Sequence, residues 1–191
     1  MLQLDDKVKR VPLLIPENPN QATAIVNGSA SGILNWNDVR DDLAYERLRE
    51  LEENFWTPFE INMSDDVKQW KDFSEEEEKD TFMKINGLVA ILDSVQPKFF
   101  GLLIKYISDP AFQADFIFSM QQEVIHNQSY SYILSSLEKS ARQNKAFEMA
   151  RTEKPIYERN KLIVDVYEKL EDNPTVKNFI EALVACGIRR N

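Results

Sequence analysis

A single histidine occurs in these 191 residues, and the segment around it limits what the chain can fold into. Read as a helix, Glu123-Val124-Ile125-His126-Asn127-Gln128-Ser129-Tyr130 puts Glu123, His126 and Tyr130 on one face, at steps of three and four. That face is otherwise apolar. Steps back from Glu123 reach Met120, Phe116 and Phe112, and steps forward from Tyr130 reach Ile133, Leu134 and Leu137. A carboxylate and an imidazole buried unpaired on such a stripe would each cost several kcal/mol, so something must compensate them.

Two compensators fit the octapeptide. One is a core histidine paired with its neighbouring carboxylate, with Tyr130 a core aromatic whose hydroxyl finds a partner. The other is a metal ion, because Glu-x-x-His projecting inward from a bundle helix is the ligand pair of di-iron and di-manganese carboxylate proteins. A further carboxylate bears on the choice. The segment Phe82, Ile85, Val89, Leu92 has helical spacing, and Asp93 follows Val89 by a step of four, between Leu92 and Ser94. Asp93 is thus an acid on a second apolar face. A local hydroxyl or amide could satisfy it equally well.

The rest of the chain reads as one helical domain behind an irregular arm. Residues 1–40 carry Pro12, Pro16, Pro19, Gly28 and Gly32, which marks an arm lying over a domain that spans 41–191. From Asp41 or Asp42 as cap, Leu43, Tyr45, Leu48, Leu51 and Phe55 recur at helical spacing, and Pro58 is expected to end that helix. Trp56 sits at this exit, where an aromatic commonly anchors a helix end. A polar loop is expected next. Ser74 and Glu77 form a capping box for the helix that carries Asp93, and Glu75 to Glu78 suit its positive start. Pro97 with Phe99-Phe100-Gly101 is expected to kink or interrupt that helix. Asp109-Pro110 then opens the helix of Glu123, antiparallel or nearly so to its predecessor. Residues 140–154 read as a helix continuation or a short helix, leading into a turn before Pro155. Ile156 to Leu170 form another helix, ended by Asn173-Pro174, and Val176, Phe179, Ile180, Leu183 and Val184 begin a last one.

Net charge and cysteine content narrow the partners. A formal charge of -9 argues against a nucleic-acid backbone or an anionic membrane. No uncharged stretch is long enough to span a bilayer, and Met1 to Asp6 lack the basic start and apolar run of a secretory signal. Lone Cys186 cannot form an internal disulfide, which fits the cytoplasm. No Gly-rich phosphate loop, Cys-x-x-Cys pair or serine nucleophile motif competes as a catalytic site.

Three pieces, in order, carry a family likeness: Asn54-Phe55-Trp56-Thr57-Pro58, then Ile91-Leu92-Asp93-Ser94-Val95-Gln96, then Glu123 to Ser131. From about Tyr45 to Cys186 the chain resembles the small, radical-generating subunit of class I ribonucleotide reductase. The resemblance implies an all-α, ferritin-like helical bundle, of which these would be the amino-terminal helices. It implies that Asp93, Glu123 and His126 are ligands of iron or manganese, with Glu123 shared between two metals. Tyr130 would be the residue oxidised to a radical. Trp56 would belong to the route carrying that oxidising equivalent to the large subunit, where ribonucleotides are reduced to deoxyribonucleotides. Homodimers are expected of the family.

The departure from the family pattern is in the second set of ligands. A complete site takes a carboxylate from a third core helix and another Glu-x-x-His from a fourth. By the likeness, the third-helix carboxylate falls near Arg190, and the fourth helix and the docking tail for the large subunit have no counterpart here. The expectation is a truncated small subunit with half a di-metal site, unable to turn over alone. Two alternatives accompany it: a homodimer in which each copy supplies Asp93, Glu123 and His126, and a non-catalytic helical module that pairs with an intact subunit through exposed apolar stripes.

Overall fold

Among the described residues the chain is helix and turn, apart from two isolated antiparallel bridges, Lys7 with Thr175 and Val26 with Ile107. The computed structural model describes residues 3–73 and 75–188. The helices are α1 (Asp42–Glu53), α2 (Ser64–Asp72), α3 (Glu76–Leu103), α4 (Pro110–Leu137), α5 (Ser140–Thr152), α6 (Lys154–Asp172) and α7 (Val176–Ile188). Short 3-10 turns lie at Pro58–Glu60 and Ile104–Tyr106. The chain divides into two compact units. One comprises Met1–Phe55, Lys98–Met120 and Leu162–Asn191, and the other Trp56–Pro97 and Gln121–Lys161.

In the first unit the arm satisfies its backbone on the residues it covers. Val8 N–H donates to the Pro174 carbonyl, Val11 to Lys105, and Ser108 to Ile25. An irregular segment with no internal ladder needs such outside partners. The arm ends at Arg40, whose Nε lies 2.9 Å from Oδ2 of Asp109, while Oδ1 of Asp109 accepts from the Ala111 N–H at 3.0 Å. Asp109 is only 1% exposed, so this pairing is what lets a charged cap open α4 from inside the unit. Asp41 caps α1 as expected, accepting from Leu43 N–H. The buried face of α1 differs from the expected stripe. Ala44 and Leu48 are buried while Leu43, Tyr45 and Phe55 are exposed, and the helix stops at Glu53, capped by Asn54, before Pro58 is reached. Elsewhere the core of this unit is Leu103, Ile107 and Leu170, with Phe99 stacked on Tyr167 at 3.7 Å between ring centroids.

Helix α3 continues through Pro97 instead of breaking there. Proline inside a helix costs about 3 kcal/mol, chiefly one lost backbone bond and a steric clash. Phe99, Phe100, Leu102 and Leu103 are all buried, and each such side chain contributes about 1.5–3 kcal/mol. Burial therefore outweighs the break, and the helix ends only at Leu103.

The second unit is built on Met83, Leu134 and Ala146, from α3, α4 and α5, with Trp70 and Phe147 packed against them. Met83 meets Leu134, and further on Ala90 meets Asn127, so within this unit α3 and α4 run antiparallel as expected. The buried face of α3 is turned by one residue from the expected stripe. Phe82 and Ile85 are exposed, whereas Met83, Asn86 and Ala90 are buried; Leu92 and Asp93 are buried as expected. Close approach of α5 explains the rotation: a Cβ at Gly87 would lie 2.6 Å from the Ala146 carbonyl oxygen, so the glycine must face α5. Arg142 on α5 bridges Asp80 on α3 and Glu138, the residue just past α4, each at 2.8 Å.

The polar loop expected before α3 is largely helix α2. Asn62 Oδ1 accepts from Ser64 N–H, Asp65 and Asp66 occupy the first turn, and Trp70 donates its indole N–H to Glu138 at 2.9 Å. A single aromatic anchor and a well-charged first turn suffice for nine residues. The capping box expected at Ser74 lies outside the described residues, as do Arg189, Arg190 and Asn191. The break expected before Pro155 falls at Glu153, between α5 and α6, and Pro155 itself lies in the first turn of α6. On α7, Phe179 is buried while Ile180 and Val184 are exposed. The helical run Glu76–Tyr106 is long and apolar enough to cross a membrane by length and composition, and half of its apolar window is buried inside the fold. Buried Asn86, Asp93 and Gln96 within it are features of a core helix.

Two stability measurements test this packing. Burial, and then the nearness of Asp109, push the Asp115 carboxyl up to about 6, against the opposing effect of Arg47. A raised folded-state pKa gives stability that is full below the unfolded value, about 3.9, and is lost as pH rises through 6. Asp115→Asn is therefore expected to leave urea stability unchanged near pH 4 and to raise it by about 1–2 kcal/mol near pH 7.5, allowing for partial solvent screening. An equal effect at both pH values would contradict this assignment. Gly87→Ala is expected to lower stability by about 1–3 kcal/mol through overpacking, although alanine is favoured in a helix by about 1 kcal/mol.

Candidate metal centre

The three residues come together because antiparallel α3 and α4 face one another in the second unit. Asp93 projects from α3, and Glu123 and His126 project from successive turns of α4. One ligand atom from each lies within 4.8 Å of the other two. Asp93 is 2% and Glu123 7% exposed, whereas the His126 side chain is 38% exposed, so the cluster opens on its imidazole side. Nδ1 of His126 lies 3.4 Å from Oε2 of Glu123. Two buried carboxylates this close repel one another unless positive charge stands between them. Two hard oxygen donors and one imidazole nitrogen form a donor set suited to iron or manganese. The residues present therefore fit a metal ion.

Tyr130 stands one turn beyond His126 on α4 and is half-buried. Its burial, and then the negative charge of Glu123, push the phenol pKa above the ordinary value. Such a tyrosine stays protonated and neutral. Trp56 stacks on the His126 ring, with centroids 6.1 Å apart and planes 29° from parallel. All five residues singled out in the sequence thus lie in one unit.

Asn127 has a part that its sequence position did not disclose. Its Nδ2 donates to the Ala90 carbonyl at 2.8 Å and to Oγ of Ser94 at 3.0 Å. The amide thereby clamps α4 onto α3 at the level of the cluster, beside both Asp93 and His126. The available signal was an amide immediately after the histidine in an apolar helix. A serine after the aspartate gave its counterpart.

Comparison with known proteins agrees in range and in fold. The family model for the ribonucleotide reductase small chain matches residues 33–190. The ribonucleoside-diphosphate reductase subunit beta of Halalkalibacterium halodurans is 47% identical over 165 residues, which cover 86% of this chain and 48% of that protein. The subunit beta of Treponema pallidum is 27% identical over 161 residues, covering 84% of this chain and 46% of that protein. Among solved structures, the ribonucleotide reductase R2 subunit from Clostridium botulinum superposes with a TM-score of 0.88 at 29% identity, covering 94% of this chain and 56% of that one. The dimanganese(II)-NrdF of Streptococcus sanguinis gives 0.69 at 25% identity, covering 77% and 50%. The chain spans about half the length of these relatives. The fold is of the all-α, ferritin-like helical class, over the part of the bundle that these residues represent.

The electrostatic link between Glu123 and Tyr130 can be measured directly. In metal-free protein, the 13Cζ resonance of Tyr130 is expected to titrate above about 10, the ordinary phenol value. Glu123→Gln is expected to move that titration downward. An unchanged titration would mean that the carboxylate does not act on the phenol.

Proposed function

The chain belongs to the ribonucleotide reductase small-chain family, and from that membership we propose that Asp93, Glu123 and His126 are one half of a di-metal site serving deoxyribonucleotide synthesis. The observation that carries this reading is the convergence of the three ligand atoms within 4.8 Å, from two helices, on a largely buried spot. A bundle of this kind uses a carboxylate from each of two helices and a Glu-x-x-His pair from each of two others. Asp93 on α3 and the Glu123–His126 pair on α4 match one carboxylate and one pair. With one histidine in 191 residues, the second imidazole comes from polypeptide other than these residues.

When bound, the metal pair, iron or manganese, supplies one-electron oxidising power close to Tyr130. This chain's own residues prepare for its use. Tyr130 is held protonated by burial and by Glu123, so its one-electron oxidation releases the phenolic proton together with the electron. Trp56, stacked on His126, offers the aromatic path between the cluster and the protein surface. Asn127 fixes the separation of α3 and α4, and with it the spacing of Asp93 from Glu123. The oxidising equivalent serves a large subunit that reduces ribonucleoside diphosphates, in the cytoplasm, with the small chain as a homodimer. In this assignment residues 41–191 are part of the di-metal domain, and residues 1–40 an arm laid over it.

A second reading keeps the helices and drops the chemistry: the chain is a helical module that pairs with a complete small subunit. The exposed Ile180 and Val184 on α7 favour a partner there. Co-purification with a full-length small subunit, lost on Ile180→Glu, distinguishes that reading.

Metal uptake tests the first. Anaerobic titration with Mn(II), followed by loss of the free-ion EPR signal, is expected to show binding that His126→Ala and Asp93→Asn each weaken at least tenfold. Absence of uptake by the parent chain would remove the metal assignment.

A further inference from the structure

A cavity of about 580 Å³ lies wholly within the second unit. That falls in the range of small-molecule sites, about 300–1,000 Å³. Its walls are mainly apolar, formed by Trp56, Trp70, Phe73, Phe82, Ile133 and Leu137. Three of the polar groups on the lining are engaged within the protein. Tyr132 donates its hydroxyl to the Ile61 carbonyl at 2.8 Å, Ser129 Oγ donates to the Ile125 carbonyl at 2.7 Å, and Trp70 donates to Glu138 at 2.9 Å. The same bonds hold the cavity open in a fixed shape. Tyr132 and Trp70 attach the 3-10 turn and α2 to α4, and the Phe59 ring meets Tyr132 edge-on at 5.7 Å.

Among the described lining residues the ionisable groups are Asp66 and Glu78, both exposed acids, and a cation, Lys79, lies over the Trp70 ring. Neither has an ion-pair partner among the described residues. An occupant that fits this lining has an apolar body and a positive head. A carboxylate or phosphate head would meet two negative charges, and an ammonium would be drawn to them.

We propose that this cavity binds a small amphipathic cation, an aliphatic or aromatic amine, with its body along Trp56, Trp70 and Phe82 and its ammonium facing Asp66 and Glu78. Aromatic walls suit a cation in general, and here Trp56 and Phe82 are the rings on which that preference rests, because Trp70 already carries the Lys79 ammonium at 5.6 Å. Trp56 joins the cavity to the candidate metal centre, because the indole that lines the wall also stacks on His126. Occupancy is therefore sensed at the imidazole. The cavity assignment does not depend on the metal assignment, and its test uses the metal-free chain.

Calorimetric titration with decylammonium, decanol and decanoate separates head charge from chain length. Decylammonium is expected to bind one per chain and at least tenfold more tightly than decanol, with decanoate weakest. Asp66→Asn/Glu78→Gln is expected to bring decylammonium to the affinity of decanol while leaving decanol unchanged. Glu46→Gln/Glu52→Gln, on α1 in the other unit, lowers the net charge equally and is expected to change nothing. Phe82→Ala is expected to weaken all three ligands. The His126 imidazole resonance is expected to shift on binding in the parent chain and not in Trp56→Ala. Equal affinity for the three ligands, absence of binding, or equal weakening by the α1 pair would overturn the proposal. So would a dimer, by sedimentation velocity, that decylammonium fails to dissociate, since a second copy would then fill the cavity.

Discussion

Charge buried between two helices is the constraint on which the second unit turns. Asp93 and Glu123 are both more than nine-tenths buried, and their ligand atoms lie within 4.8 Å of each other and of His126. Apolar packing alone would resist that arrangement, because burying a carboxylate carries a desolvation cost. The helices are held together by other means. Met83 and Leu134 bury apolar surface at one level, and the Asn127 amide fastens α4 to α3 beside the cluster. The cost of the charges is localised, and the surrounding contacts supply the rigidity a ligand set requires.

The first unit solves a related problem by ordinary ion pairing. Asp109 is almost fully buried yet caps α4, and Arg40 from the end of the arm neutralises it at 2.9 Å. Asp115, one turn and a half further along α4, has no such partner for Oδ1 among the described residues, and its pKa rises accordingly. One helix thus carries two acids in different surroundings. A neighbouring guanidinium stabilises one, while desolvation and a like charge act on the other.

Membership of the small-chain family gives the cluster its meaning, and the residues give it a mechanism. An aspartate from one helix and Glu-x-x-His from the next are hard donors in the order and spacing that a bundle metal site needs. Tyr130 is kept neutral beside them, and Trp56 lies against the imidazole. The open imidazole side of the cluster is where further donors can approach. The aromatic cavity next to Trp56 belongs to a different chemistry, in which acids at a greasy wall select for positive charge.

The Glu123, His126, Tyr130 register was determined by sequence alone, because helical periodicity fixes which residues share a face. So were the Asp109-Pro110 start of α4 and the Asn173-Pro174 break, where the backbone chemistry of cap and proline acts locally. Only tertiary structure decided the buried face of α3, turned by one residue because Gly87 must admit the Ala146 carbonyl. It also carried α3 through Pro97, where burial of the following phenylalanines and leucines outweighed a local breaker, and made α2 from a segment whose charges read as loop. The meeting of Asp93 with Glu123 belongs to the same class. A sequence states what each helix face carries, but which faces touch depends on side chains far along the chain filling one volume together.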